Sequence, residues 1–258
     1  MKVYIPTYRR SGKQLSLKSI GPKWADRVFL VCPSNETHEW PNVIHLPDSV
    51  VGSISKTRQW ICDNGGEHIG MIDDDLSFYK INPDNRTQRT RLEDADELFD
   101  LMESYLKRGE VFCSPSASFM SHLNEPEYYF GKPAHCAFVN TEYMRTNGIR
   151  YDAIEYFEDF HVPLAILQSG KRLCMTGDYI AQELKANAAG GCSVNRTSAR
   201  NRSAMERLAE LHPRYVSIKH VAGAKNQNLE VGLKLRIAFK RCYDENVGEQ
   251  DAARLPFD

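Results

Sequence analysis

The stretch His68-Ile69-Gly70-Met71-Ile72-Asp73-Asp74-Asp75 decides the fold. A short, largely apolar run passes without a break into three consecutive carboxylates. A strand that is apolar on both faces belongs to a sheet covered on both sides. In such open α/β sheets, ligands bind outside the carboxyl ends of the strands. Three adjacent carboxylates repel one another, and a divalent cation relieves that cost most simply. Side chains alternate along an extended chain, so Asp73 and Asp75 are placed to share an ion while Asp74 turns away. An acidic turn that only caps the next segment is the rival reading of the same residues.

Working outward, three more strands are expected upstream. Lys2-Val3-Tyr4-Ile5 is stopped by Pro6, residues 27–32 by Pro33, and residues 42–46 by Pro47. The spacing predicts a short helix over 13–20 and a second over 53–62, with Ser53 or Ser55 as N-cap. Downstream, the polar segment 82–91 reads as a loop. Residues 92–107 read as an amphipathic helix with Leu98, Phe99, Met102 and Leu106 on one face. Strands at 111–113, 137–139 and 172–175, a helix over 157–168 and a last helix over 229–243 complete the reading. This is an α/β chain with a mostly parallel sheet flanked by helices.

Its 258 residues are 41% hydrophobic and 26% charged, which excludes wholesale disorder. No apolar run approaches the ~20 residues of a membrane span, and no signal peptide is visible. Seven cysteines without a CxxC pair argue against a disulfide framework or a cysteine zinc site, so a reducing, cytoplasmic setting is expected.

The net charge of −1 conceals an asymmetry. Residues 195–241 hold eleven Lys/Arg against three Asp/Glu, a local charge of about +8. The expected organisation is a catalytic domain over 1–194 and a basic, helical extension over 195–258 that contacts an anionic partner. Lys234, Arg236 and Lys240 would share a face of its terminal helix. Solvated helix faces would account for the same charges.

A second acidic pair, Glu158-Asp159, opens the helix over 157–168. The helix dipole alone favours acids there. Tyr156 and Phe157 just before the pair are placed to desolvate it and raise an acidity toward general-base range. GxGxxG, Walker A and HExxH motifs are missing, which disfavours dinucleotide, P-loop and zincin chemistry.

Ile5-Pro6-Thr7-Tyr8-Arg9, Ser53-Ile54-Ser55-Lys56-Thr57-Arg58, the Asp73-Asp74-Asp75 strand end and Glu158-Asp159 follow one another in the order seen in GT-A glycosyltransferases. The chain resembles that superfamily over roughly residues 1–180, and especially its small phage-type, TET-associated members that glycosylate 5-hydroxymethylpyrimidines in DNA. The resemblance implies a Rossmann-like GT-A domain that binds a UDP-sugar, UDP-glucose first among them, with Mn²⁺ or Mg²⁺. It implies nucleotide contacts from Pro6, Thr7, Arg9, Lys56, Arg58, Asp73 and Asp74. It implies metal ligation by Asp73 and Asp75, with His220 or His161 as a third ligand. Asp159, or failing it Glu158, would be the base of an inverting hexosyl transfer to a hydroxyl of DNA. Other readings stay open: a polysaccharide, lipid or small-molecule acceptor, a metal-dependent nuclease, or a nucleic-acid-binding module with an inert acidic cluster.

Overall fold

The structure, a computed structural model, describes residues 1–10, 12–117, 125–133, 135–183, 197–221 and 232–248. Its centre is a ten-stranded mixed sheet. β1 (Lys2–Pro6), β2 (Val28–Pro33), β3 (Val43–Leu46) and β4 (His68–Ile72) form a parallel block in the order β3-β2-β1-β4. The sheet continues through antiparallel partners. The next strands are β5 (Leu76–Asn82), β6 (Asn85–Arg91), β7 (Phe112–Ala117), β8 (Glu127–Tyr128), β9 (Cys136–Asn140) and β10 (Cys174–Glu183). Beyond β4 the order is β9-β7-β10-β5-β6, with β8 paired to β10. Among these only β7 and β10 run parallel to each other.

The α/β class expected from the sequence is the class found, and the parallel block comprises the four strands read from the N-terminal third. Three local expectations need correction. Residues 82–91 are not a loop: they turn into β6, which pairs antiparallel with β5 along the sheet edge. The helix expected over 13–20 is a single 3-10 turn, Ser16–Ser19. In its described part, from residue 232 on, the helix expected over 229–243 is a strand, β12 (Leu233–Ile237), followed by a short helix, α6 (Phe239–Asn246). Lys234 and Arg236 therefore sit on a strand, and only Lys240 is helical. β12 pairs antiparallel with β11 (Val216–His220) in a separate two-stranded ribbon. Gly190-Gly191, which the sequence offers as a linker sooner than as a lid, lies outside the described residues.

Helices cover both faces. α2 (Asp96–Lys107) buries Leu98, Phe99, Met102 and Leu106 as its periodicity demands, against Trp24, Phe78 and Phe138. Gly70 sits under that layer because a side chain there would meet the Phe138 ring at 2.6 Å. The opposite face carries α1 (Ile54–Asn64), α3 (Thr141–Thr146), α4 (Glu158–Gln168), α5 (Ser198–Leu211), α6 and the β11–β12 ribbon. All six described cysteines are buried thiols, and burial pushes Cys32 up to about 11 and Cys242 up to about 12. Among the described residues, no helix is long and apolar enough to cross a membrane.

Candidate active site

β4 delivers the acidic triplet to the carboxyl edge of the parallel block, where the 3-10 turn fixes its backbone. Ser16 donates its hydroxyl to the Asp73 carbonyl at 2.5 Å and its amide to the Asp74 carbonyl at 3.1 Å. The three carboxylates then part company. Asp74 turns inward, 5% exposed, and accepts from the Thr7 hydroxyl at 2.7 Å and from Arg10 at 2.5 Å. Burial outweighs those donors and pushes Asp74 up to about 6, with Asp73 and Asp75 adding repulsion. Asp75 accepts from the same Arg10 at 2.8 Å.

Asp73 faces the other carboxylate pair. Buried Arg58, on α1, donates one Nη to Asp73 and the other to Glu158, each at 2.6 Å. Burial alone would lower this guanidinium's pKa, but Asp73 and Glu158 overcome it and raise it. Arg58 is thus a strut between two carboxylates. Ser53 caps α1 by accepting from the Lys56 amide. Lys56 itself is exposed and lines a separate groove with Glu155 and with Arg200 and Arg207 of α5.

α4 starts on Phe157, a non-glycine residue at φ 68°, and presents Glu158 and Asp159 in its first turn. The two carboxylates have opposite environments. Burial raises Glu158 above the usual carboxylate range in spite of Arg58. Burial would raise Asp159 too, but Lys132, His135 and Arg58 outweigh it and hold Asp159 at about 2. Lys132 reaches Asp159 at 3.1 Å.

Sequence reasoning missed three of the side chains assembled here. His135 stands 3.5 Å from Asp73 Oδ2 through Nδ1 and 3.1 Å from Glu183 Oε1 through Nε2. Lys132 Nζ lies 3.3 Å from that same Nε2. Asp73, His135 and Glu183 each offer one donor atom, all within 4.8 Å of one another. His135 enters because β9 runs antiparallel beside β4, where the Asp73 amide donates to the His135 carbonyl at 3.0 Å. Glu183 enters at the end of β10. Neither carries a local motif; their common signal is that each sits at a strand terminus.

The structure does not bring His220 or His161 to this cluster. His220 ends β11 in the separate ribbon, exposed. His161 is buried against His212, with 2.9 Å between ring nitrogens. Pro6 ends β1, and Thr7 is occupied by Asp74. Arg9, at φ 57°, lines a cleft beyond β1 and β2 with Tyr8, Asn35, Glu36 and Thr37. Among the described residues, the non-glycine positions with positive φ are Arg9, His135 and Phe157. All three border the cleft or the carboxylate cluster, where stored backbone strain commonly marks function.

The chain is similar to the beta-glucosyl-HMC-alpha-glucosyl-transferase of Enterobacteria phage T6, 27% identical over 231 residues, spanning 81% of this chain and 80% of the relative. The enzyme of the same description from Enterobacteria phage T2 is 27% identical over 188 residues, spanning 66% of this chain and 65% of the relative. Among solved structures, it is similar to the crystal structure of GalNAc-T7 with UDP, GalNAc and Mn²⁺. That match has a TM-score of 0.42 and 10% identity over 70% of this chain and 43% of the other, too slight to carry an argument. The model of the TET-Associated Glycosyltransferase family matches residues 1–191, which hold every strand of the main sheet and the acidic cluster. The chain belongs to the TET-associated glycosyltransferases.

Proposed function

We propose that this glycosyltransferase, of GT-A architecture, moves glucose from UDP-glucose to a 5-hydroxymethylpyrimidine of DNA, or to a sugar already carried by that base, with a divalent cation. The observation that carries the reading is the Asp73–His135–Glu183 donor set, set against Glu158 and Asp159 by the Arg58 strut. Two carboxylates and an imidazole suit Mn²⁺ or Mg²⁺. Asp73 keeps Oδ2 for a cation because Arg58 engages Oδ1. Asp75, tied to Arg10, and His220, in the ribbon, are not in our ligand set. When bound, the cation would neutralise charge developing on the departing diphosphate.

The protein's own residues divide the remaining work. The cleft at the ends of β1 and β2, lined by Tyr8, Arg9, Asn35 and Thr37, would receive the nucleoside. Arg58 holds Asp73 and Glu158 in register, and Glu158 has both burial and Arg58 against a direct role. Asp159 is the carboxylate we assign to the acceptor proton. At about 2 it is ionised at any physiological pH, and it is a weak base. It therefore takes the proton late, once bond formation at the anomeric carbon has acidified the hydroxyl. The curated relatives are named for an alpha-glucosyl transfer to beta-glucosyl-HMC, which supports glucose as the sugar and HMC-borne glucose as the acceptor. Because UDP-glucose is itself alpha-linked, that name favours retention over the inverting outcome that the resemblance implies.

Calorimetric titration with UDP, with and without Mn²⁺, tests the donor half. Wild type should bind at least tenfold more tightly with Mn²⁺, and His135→Ala should lose that gain. Equal affinity of both proteins in the two conditions would remove the metal set. Glucose transfer to duplex DNA containing 5-hydroxymethylcytosine, bare or glucosylated, tests the acceptor half.

A further inference from the structure

Five of the nine described cations of residues 195–241 form ion pairs. Arg200 pairs with Glu155, Arg207 with Glu210, Arg214 and Arg241 with Glu245, and Lys240 with Asp244. The β11–β12 ribbon is different. Val216, Ile218, Leu233, Leu235 and Ile237 turn one face of it into the core. Its other face presents Ser217, Lys219, Lys234 and Arg236, all exposed. Lys219 stands directly opposite Lys234, and Ser217 opposite Arg236.

Like charges directly across an antiparallel pair destabilise it. Here the two ammonium-bearing chains leave backbone positions about 5 Å apart, with Arg236 about 6.8 Å further along β12. None of the three forms an ion pair among the described residues, although five other cations of the same segment do. A sheet face that carries unrelieved repulsion at its centre is complementary to an external polyanion. A two-stranded ribbon is also one of the two shapes that enter the major groove of duplex DNA. Position agrees with charge. β12 leads at once into Phe239, whose ring lies 6.3 Å from that of Phe160, the residue after Asp159.

We propose that the outer face of the β11–β12 ribbon is the surface that docks duplex nucleic acid, with Lys219, Lys234 and Arg236 on phosphates and the Ser217 hydroxyl as a further donor. This rests on the DNA-acceptor reading above and adds the element that holds the duplex. The occupant is a duplex backbone, not an acidic protein and not a lipid surface.

The test uses the full chain and a fluorescent 20-base-pair duplex containing 5-hydroxymethylcytosine. Wild type should bind with log affinity falling steeply against log salt. The triple variant Lys219→Thr, Lys234→Thr, Arg236→Thr should bind roughly 10²-fold more weakly at 0.1 M salt, with a slope shallower by about 2.7, for three phosphates at ~0.9 each. The same variant should melt about 1–3 °C higher, because the like-charge pair is gone. A residue kept only for structure would not give lower affinity with higher Tm. Single Lys234→Gln, expected to cost about 0.9 of slope, carries the test if the triple variant loses its circular dichroism. Unchanged affinity and slope in these variants would overturn the ribbon as docking face while leaving DNA as acceptor. Wild type that ignores duplex at low salt yet glucosylates free 5-hydroxymethyldeoxycytidine would overturn both. Binding to anionic vesicles in preference to duplex would also overturn it.

Discussion

Arg58 spans two carboxylates that lie 85 residues apart in sequence, Asp73 and Glu158, with one guanidinium. Only a rigid two-pronged cation does this; lysine is a point charge. Removing the charge would leave two carboxylates facing each other, one of them buried. Arg58→Met should therefore cost about 3–5 kcal/mol in urea unfolding, the range for breaking a buried pair from one side. Arg58→Lys should recover part of that stability but little transfer activity, because it holds one carboxylate at a time. Equal stability of Arg58→Met and wild type would show that the strut bears no weight. Reading from sequence reached Asp73, Glu158, Asp159 and Arg58 because each belongs to a local pattern, an acidic strand end or an acidic helix start. It gave Arg58 to phosphates or to the base, and the particular contact between α1 and the first turn of α4 leaves no trace in spacing. His135, Lys132 and Glu183 were beyond reach because antiparallel strands deliver them, and strand order is not written in any one segment.

At the scale of elements, α4 and α5 meet through two imidazoles. His161 Nδ1 faces His212 Nε2, and His212 bonds onward to Gln168. Burial lowers both rings to about 4, with Arg207 acting further on His161 and His161 on His212. Between pH 6.5 and about 4 the unfolded chain takes up protons at both rings that the folded chain refuses. Their contribution to stability is therefore present above pH 6.5 and lost on acidification. Asp74, raised to about 6, works the other way, because its ionisation burdens the folded state as pH rises through that value. His161→Gln should lose less stability than wild type between pH 7.5 and pH 5, measured as the shift in urea midpoint. Parallel losses would separate the pair from the pH response. Elements were legible where burial set a period, as in α2 and β4. The edge strand β6, Asn85-Arg86-Thr87-Gln88-Arg89-Thr90-Arg91, shows no apolar period because neither face is buried; pairing with β5 makes it a strand. β12 is a different case. Leu233, Leu235 and Ile237 alternate with Lys234 and Arg236, a period of two that the helix reading overlooked.

Taken as a whole, the molecule does not divide at residue 194 in its core. One apolar cluster draws Val162, Leu164 and Leu167 from α4, Met205 and Leu208 from α5, Val216 and Leu233 from the ribbon, and Cys242 from α6. The basic segment contributes buried residues to that core layer, and its net charge said nothing of that. Truncation after residue 194 should yield a chain that aggregates or binds a hydrophobic dye rather than a working catalytic domain; a monomeric product with cooperative unfolding would contradict this. The buried thiols give the same core a second use. Cys32, Cys62, Cys113, Cys136, Cys174 and Cys242 are each sheltered from solvent, from both faces of the sheet to the last helix. An alkylating reagent meets them only when the layer above each one opens. With Cys192, which lies outside the described residues, replaced by serine, native-state alkylation becomes a clock. Each sulfur would record how often its own layer of the enzyme comes apart, and nucleotide binding would show as a slower tick.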